Sequence, residues 1–579
     1  MKSFLKMFLA VILGQIVLIL IFLGLIASQV QEKVEVQNGS VLVQEITGDL
    51  PEAPAQPGLP IPGATPGPSH TAILENLEKA QHDDRVKAVV LRIGAPGIGY
   101  AKQGEVRERI AQLREAGKPV WAFAEMLGRT QLYLGSACDS LFLLPAGYVS
   151  LRGMAVSRPF IAGTLEKLEI KEQMHRIGAY KAAAEMVQRK EMSLEARENI
   201  SWLFDDVYPH IVGTIELERD VPSGTLEEVF AAGALTPLQA AEKRLVDRLL
   251  YWDEVEERLL ALPGVERDKD AGEGFGAHPR TISSDDYASI ERKAVIKAKK
   301  KIAVVHANGL IAGEESGYSF PFGATMGSAT MADAFRSAAT DDDIEAIVYR
   351  VDSGGGESST SWKIQRAASL AAQSKPLVVS MVDVAGSGGY LICYPFEPLL
   401  AAPLSIVGSI GSISGKLNLR DFYRDKLGIT WDFVTRGPNA LMESDVTDYT
   451  AEQWEAFKEN HWDGYYEWVE DIARARGMTV AEVDSIGRGR TFTGAQALEL
   501  RLIDQVGTFD DAVRLAKEKA GIPASEEVEY VHFPRKKGLL ETLRSGGLSA
   551  AWNRLLADIL RPWRGERSGT WAVDWTQYY

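Results

Sequence analysis

The sequence predicts an α/β protein built from two tandem domains behind one N-terminal membrane-spanning helix. Three observations carry that prediction. The chain repeats itself: Val89-Val90-Leu91-Arg92-Ile93 lines up with Ile347-Val348-Tyr349-Arg350-Val351 at an offset of 258 residues, and Lys118-Pro119 lines up with Lys375-Pro376 at 257. Thr236, Gln239, Ala240, Leu245 and Asp247 line up with Thr493, Gln496, Ala497, Leu502 and Asp504, again at 257. A nearly constant offset kept over roughly 160 residues indicates tandem duplication. Within each copy, short apolar strands alternate with helical stretches, the pattern of βαβ units and a largely parallel sheet. Ahead of both, Phe8 to Ala27 is a 20-residue apolar run broken only by Gln15.

That run is long enough to cross about 30 Å of hydrocarbon as a helix. Lys2 and Lys6 precede it, which places the N-terminus in the cytoplasm by the positive-inside rule. Its length, and the lack of a clean small-x-small site before Val30, favour an uncleaved anchor over a cleaved signal peptide. The remaining ~550 residues are expected outside the cytoplasm.

After the anchor, Lys33 to Glu45 alternates apolar and polar residues and reads as a strand. Asp49 to Ser69 holds seven prolines and reads as a loop. The first repeat then runs through an amphipathic helix from Thr71, a buried strand at Ala88–Arg92, a helix at Glu105–Ala116 and a strand at Pro119–Phe123. Gly264 to Arg292 is polar and reads as an interdomain linker. Lys293 to Lys301, with five lysines in nine residues, reads as a solvated run leading into the strand that opens with Ile302-Ala303-Val304-Val305. The expected division is 1–29 cytoplasmic stub and anchor, 30–263 first repeat, 264–300 linker, 301–522 second repeat and 523–579 tail. In the tail, leucines between Leu539 and Leu560 look amphipathic and Trp563, Trp571 and Trp575 follow; docking on its own fold or a neighbouring subunit is expected.

Composition narrows the chemistry. A net charge of −16 leaves no net basic field for nucleic acid. Cys138 and Cys393 lack CxxC or metal spacing and read as small buried apolar residues. Eight scattered histidines form no HExxH, so no metal or other cofactor is expected.

The copies differ at reactive positions. The second carries Val407-Gly408-Ser409-Ile410-Gly411, where the first has Leu151 in place of the serine; the first carries Gly178-Ala179-Tyr180-Lys181, where the second has Ala440 near the lysine position. A serine in one half and a lysine in the other suggest one site built from both. A serine hydroxyl needs a base, and no histidine stands near Ser409 in sequence. Lys181 lies among small and apolar neighbours, and burial there would lower its proton affinity enough for a neutral amine to act as base. Asp352-Ser353-Gly354-Gly355-Gly356 follows a buried strand, and its glycines can turn backbone N–H groups toward a carbonyl oxygen. Ala385-Gly386-Ser387-Gly388-Gly389-Tyr390 is a second such turn. Neither fits a dinucleotide loop, and Gly411-Ser412-Ile413-Ser414-Gly415-Lys416-Leu417 has the wrong spacing for a phosphate loop.

With Gly489-Arg490-Thr491-Phe492-Thr493-Gly494-Ala495-Gln496-Ala497, these segments resemble the long, membrane-anchored form of the signal peptide peptidase A family, also called protease IV. The resemblance runs over about residues 1–535. It implies tandem ClpP/crotonase-like domains of ββα units and a Ser/Lys dyad split between them. Carried over by residue, Ser409 corresponds to the nucleophile and Lys181 to the general base. The amides of Gly355 (or Gly356) and Ile410 correspond to the oxyanion hole, with Gly356, Gly388, Gly389 and Tyr390 as substrate-binding residues. The resemblance further implies cleaved signal peptides and other apolar peptides as substrate, a homotetramer, and a single-pass bacterial inner-membrane protein with its catalytic body in the periplasm. The chain departs from the family pattern at Gly354 and Met186, where the family has Pro, and at Ala182, where it has Ser. These departures are what an alternative reading draws on, an inactive oligomeric membrane scaffold of the same fold. A crotonase-type acyl-CoA enzyme is disfavoured because an extracytoplasmic body would not meet CoA.

Overall fold

The computed structural model describes Gly14 and residues 34–53, 68–269, 278–319 and 323–535. The expected anchor (Gly14 apart) and the tail from Lys536 lie outside the described residues, and no helix among the described residues is long and apolar enough to cross a membrane.

Two parallel sheets with matching strand orders form the body. In the first, β1 (Ser40–Asp49), β2 (Val86–Gly97), β3 (Val120–Leu127) and β4 (Ser140–Val149) lie side by side. β6 (Arg248–Leu249) flanks β4, and β7 (Thr281–Ser283) flanks β1. In the second, β8 (Lys300–Asn308), β12 (Ile344–Ser353) and β13 (Leu377–Gly386) repeat β1 to β3. β14 (Leu399–Ala401) and β15 (Ile406–Gly408) together take the place of β4, and β18 (Gln505–Val506) and β19 (Val528–Phe533) take the places of β6 and β7. β17 (Thr491–Thr493) adds an antiparallel edge beside β15. A small sheet of β9 (Leu310–Ile311), β10 (Gly317–Ser319) and β11 (Gly323–Met326) sits beside the second domain's first strand.

The duplication extends to polar details. Asp247 accepts the Leu141 N–H at 2.7 Å and pairs with Arg219 at 2.9 Å; Asp504 accepts the Leu399 N–H at 2.8 Å and pairs with Arg476 at 2.6 Å. Each arginine also donates Nε to the carbonyl of a left-handed arginine, Arg244 or Arg501, at 3.0 Å.

Along β12 the side chains alternate between two cores. Ile347, Tyr349 and Val351 join the second domain's helices Ser328–Thr340 and Ser358–Ala372, whereas Ala346 and Val348 join a core continuous with the first domain. Arg350 shares that interdomain face. It is fully buried and pairs with Glu52 and Glu105, each at 2.7 Å.

Three boundaries differ from the sequence reading. β1 begins at Ser40 instead of Lys33, because a turn at Asn38-Gly39 interrupts the alternating stretch. Part of the expected linker is structured: β7 pairs with β1, and the Ser284–Ser289 helix buries Tyr287. Likewise β19, within the expected tail, pairs with β8. In both repeats the edge of the first strand recruits a later segment, which satisfies backbone groups that polar sequence alone does not advertise. The lysine-rich run leads into β8, with Lys300 and Lys301 paired to Glu345 and Asp343 at the surface.

Candidate active site

A two-stranded antiparallel ladder joins the halves. β5 (Lys171–Ile177) of the first repeat pairs with β16 (Ser412–Asn418) of the second, from Ile177 opposite Ser412 to Lys171 opposite Asn418. This register sets Lys181, just past the end of β5, beside Ser409, just before the start of β16. The Lys181 Nζ donates to Ser409 Oγ at 2.9 Å and to the Ser409 carbonyl at 2.8 Å. Both residues belong to one chain.

Ser409 holds a left-handed backbone, φ 52°, immediately after β15. For a non-glycine residue this conformation is costly and needs support from its surroundings. The support comes from the far end of the domain: the Ser409 N–H donates to the Arg490 carbonyl at 2.6 Å, and the Gly489 N–H donates to the Ile410 carbonyl at 2.7 Å. Gly489 itself is at φ 86°, and a Cβ there would lie 2.3 Å from the Lys181 backbone nitrogen. Glycine is thus required where these two segments cross.

Lys181 is 5% exposed and Ser409 2% exposed. Burial alone pulls the Lys181 ammonium from 10.5 down to about 7, with no carboxylate contributing. At neutral pH a large fraction of this side chain is therefore a free amine next to a hydroxyl, the arrangement needed for proton abstraction from serine.

The glycine turns pack around the serine. A Cβ on Gly386 would sit 3.6 Å from the Ser409 Cβ and 4.0 Å from the Gly354 carbonyl. The Gly355 N–H, expected as an oxyanion donor, is already donated to Ser353 Oγ at 3.1 Å, and Ser353 Oγ donates in turn to the Gly309 carbonyl at 2.6 Å. Gly355 and Gly356 are held by the small sheet: the Ile311 N–H donates to Gly355, and the Glu357 N–H donates to Ile311. Among the described residues the N–H groups of Gly356 and Ile410 have no acceptor.

Of the residues expected to bind substrate, Tyr390 turns its side chain away from the serine. Tyr390 is fully buried and donates its hydroxyl to the Leu502 carbonyl at 2.8 Å, so it faces the core. Gly388 and Gly389 are buried where the turn presses on Ser361 and on the Ser353 carbonyl, with no room for a Cβ. Their smallness serves packing behind the site. The two cysteines are buried, as expected.

Sequence reasoning missed Asn199. From the Leu194–Glu218 helix its amide donates to the Thr491 carbonyl at 2.8 Å and accepts from the Thr491 N–H at 3.0 Å. It thereby holds the edge of β17 as a further strand would, steadying Arg490 beside it. Tyr180 also clasps this segment: Arg490 lies over its ring at 4.0 Å and donates to its hydroxyl at 2.7 Å. The Asn199 pairing has no local sequence signal; Tyr180 and Arg490 both stand in the motifs quoted above.

Residues 112–266 and 369–523, together more than half of the chain, match the family model described as Peptidase family S49. The chain is 29% identical over 517 residues to the chloroplastic serine protease SPPA of Arabidopsis thaliana, covering 88% of this chain and 74% of that protein. It is 30% identical over 460 residues to Protease 4 of Salmonella typhi, covering 77% and 71% respectively. Protease 4 of Haemophilus influenzae is 27% identical over 456 residues, covering 76% and 71%.

Proposed function

The chain belongs to peptidase family S49, and from that premise we propose that it is a membrane-anchored serine endopeptidase working through a Ser409–Lys181 dyad. The observation that carries the proposal is the 2.9 Å contact between a buried lysine lacking a carboxylate partner and the hydroxyl of a serine in a left-handed turn. Neutral Lys181 takes the Ser409 proton as Oγ attacks a peptide carbonyl. The tetrahedral oxyanion receives the N–H groups of Gly356 and Ile410, which are free to donate. The Lys181 ammonium then protonates the leaving amine, giving an acyl-enzyme on Ser409. A water gives a proton to Lys181 as it attacks the acyl carbon, and as the acid product leaves, the Lys181 ammonium returns that proton to Ser409 Oγ.

The finer parts of the proposal come with the family. The domains are ClpP/crotonase-like, Phe8–Ala27 anchors the chain in a bacterial inner membrane, and the body works in the periplasm as a homotetramer. Its substrates are apolar peptides, in the first place cleaved signal peptides.

Hydrolysis of an apolar peptide ester by the full chain in detergent tests the dyad, with Ser409→Ala and Lys181→Ala in parallel. Both changes should lower kcat by about 10³-fold or more with the fold intact. Hydrolysis that persists in either variant would end the dyad assignment. A folded wild-type protein with no hydrolysis would favour the scaffold.

A further inference from the structure

We propose that Lys102, on the first repeat, is a positioning residue for the second repeat's oxyanion loop, through its buried contact with Asp352. This rests on the proposed role of Gly356 as an oxyanion donor. Lys102 lies in the first turn of the Tyr100–Glu115 helix, the copy of the helix that follows the oxyanion loop in the second domain. Its Nζ sits 2.7 Å from Asp352 Oδ2 and 3.5 Å from Asp383 Oδ2, and all three side chains are largely buried. Burial opposes the charge, but Asp352 and Asp383 outweigh it and hold the ammonium above the ordinary lysine range.

The helix start is itself docked on Asp383. The N–H groups of Gly99 and Lys102 donate to its two oxygens at 2.9 and 3.1 Å. A Cβ at residue 99 would lie 2.4 Å from that carboxylate, so only glycine lets the helix approach.

What Lys102 joins is a bulge. β12 and β13 pair Val351 with Met381 and next Ser353 with Ala385, so Asp352 faces the extra length of β13 that contains Asp383. Asp352 Oδ1 accepts the Val384 N–H at 3.1 Å, which closes one side of the irregularity. Lys102 closes the other, bridging a carboxylate on each strand. Bulges beside reactive sites aim the backbone that follows them. The backbone that follows here is Ser353 to Gly356 on one strand and the Gly386 turn, packed on Ser409, on the other. At the 258-residue offset, Gly94 and Glu125 occupy the positions of Asp352 and Asp383 in the first repeat, and Thr360 occupies that of Lys102 in the second. The copy without the serine thus supplies a cation that its sister copy lacks. Without it, two buried carboxylates would face each other across the bulge and spread it.

The test compares the full-length wild-type protein with Lys102→Met. We expect kcat for the peptide ester and affinity for a peptide aldehyde, which binds as an oxyanion-bearing hemiacetal, to fall together by about 10–100-fold, because a displaced donor costs of that order. KM should stay within about twofold. Amide hydrogen exchange over 353–356 should quicken, a readout that holds whether or not the protein hydrolyses anything. If Lys102→Met does not fold, Lys102→Met/Asp383→Asn removes one of the opposed charges, so the bulge is left unbridged but not forced apart, and losses of the same kind but smaller size are expected. A folded variant with unchanged kcat, aldehyde affinity and exchange would overturn the positioning role. Quickened exchange in a wild-type background that never hydrolyses the ester would uphold the brace and remove the peptidase reading instead.

Discussion

Replacing Lys181 by methionine should make the protein more stable at low pH while abolishing hydrolysis. Burial alone lowers the lysine from 10.5 to about 7. At about 1.36 kcal/mol for each tenfold change in proton affinity, keeping the ammonium in the folded site below pH 7 costs ~5 kcal/mol. Methionine removes that cost but also removes two hydrogen bonds to Ser409, worth about 1 kcal/mol each. The net expected gain is about 3 kcal/mol at pH 6. The sign with pH follows from proton counting. Between about 7 and 10.5 the unfolded chain binds a proton that the folded chain does not, so wild-type stability rises through this window. The advantage of the variant should shrink accordingly, cross zero at about pH 9 and become a deficit of about 2 kcal/mol by pH 10.5. Urea denaturation of both proteins in detergent at pH 6, 8 and 10, followed by tryptophan fluorescence, measures the difference. A variant less stable than wild type at pH 6, or a difference that ignores pH, would refute the picture of an unpaired buried ammonium.

The same titration governs rate: kcat/KM should fall tenfold per pH unit below a midpoint near the Lys181 value of about 7 and level off above it; a flat profile between pH 5 and 8 would count against lysine as the base. Gly489→Ala forces a side chain into the Lys181 backbone at φ 86°, and should cut kcat by about 10²-fold, since displacements near 1 Å at the reacting groups cost that much; ester kinetics at wild-type rates would contradict it. Tyr390→Phe removes a buried hydrogen bond to Leu502 and should lower stability by about 1–3 kcal/mol with KM unchanged; a raised KM would return Tyr390 to the substrate site. Arg350→Met takes the arginine from both Glu52 and Glu105 at the interdomain core, leaving Glu105 only His70 at 2.7 Å and the Phe509 N–H, and a loss of about 3 kcal/mol in urea denaturation is expected.

Much of the architecture is legible in sequence because its causes are local or periodic. Ala88–Arg92 and Ile302–Val305 announce buried strands by β-branched composition, and the constant offset exposes the duplication without any structure. Ser409 and Lys181, each replaced in the other copy, stand out for the same reason. The ladder that brings them together is a different matter. Lys171–Ile177 is mostly polar, so nothing in it names Ser412–Asn418 as its partner. The glycine turns could be located but not interpreted: only packing shows that Ser353 claims the Gly355 N–H, and that Tyr390 points to Leu502. Asn199 and Lys102 are single polar residues on helices, acting on strands that lie 292 and 250 residues further along the chain.

By itself, then, the sequence determined the strands and helices, the repeat and the chemical types at the reactive positions, since steric preference and hydrophobic period act between near neighbours. Tertiary structure alone decided which groups meet, which N–H groups are left to donate, and that Lys181 is dry enough to lose its proton. Those are properties of burial and of contacts between distant segments, and no short stretch of chain encodes them.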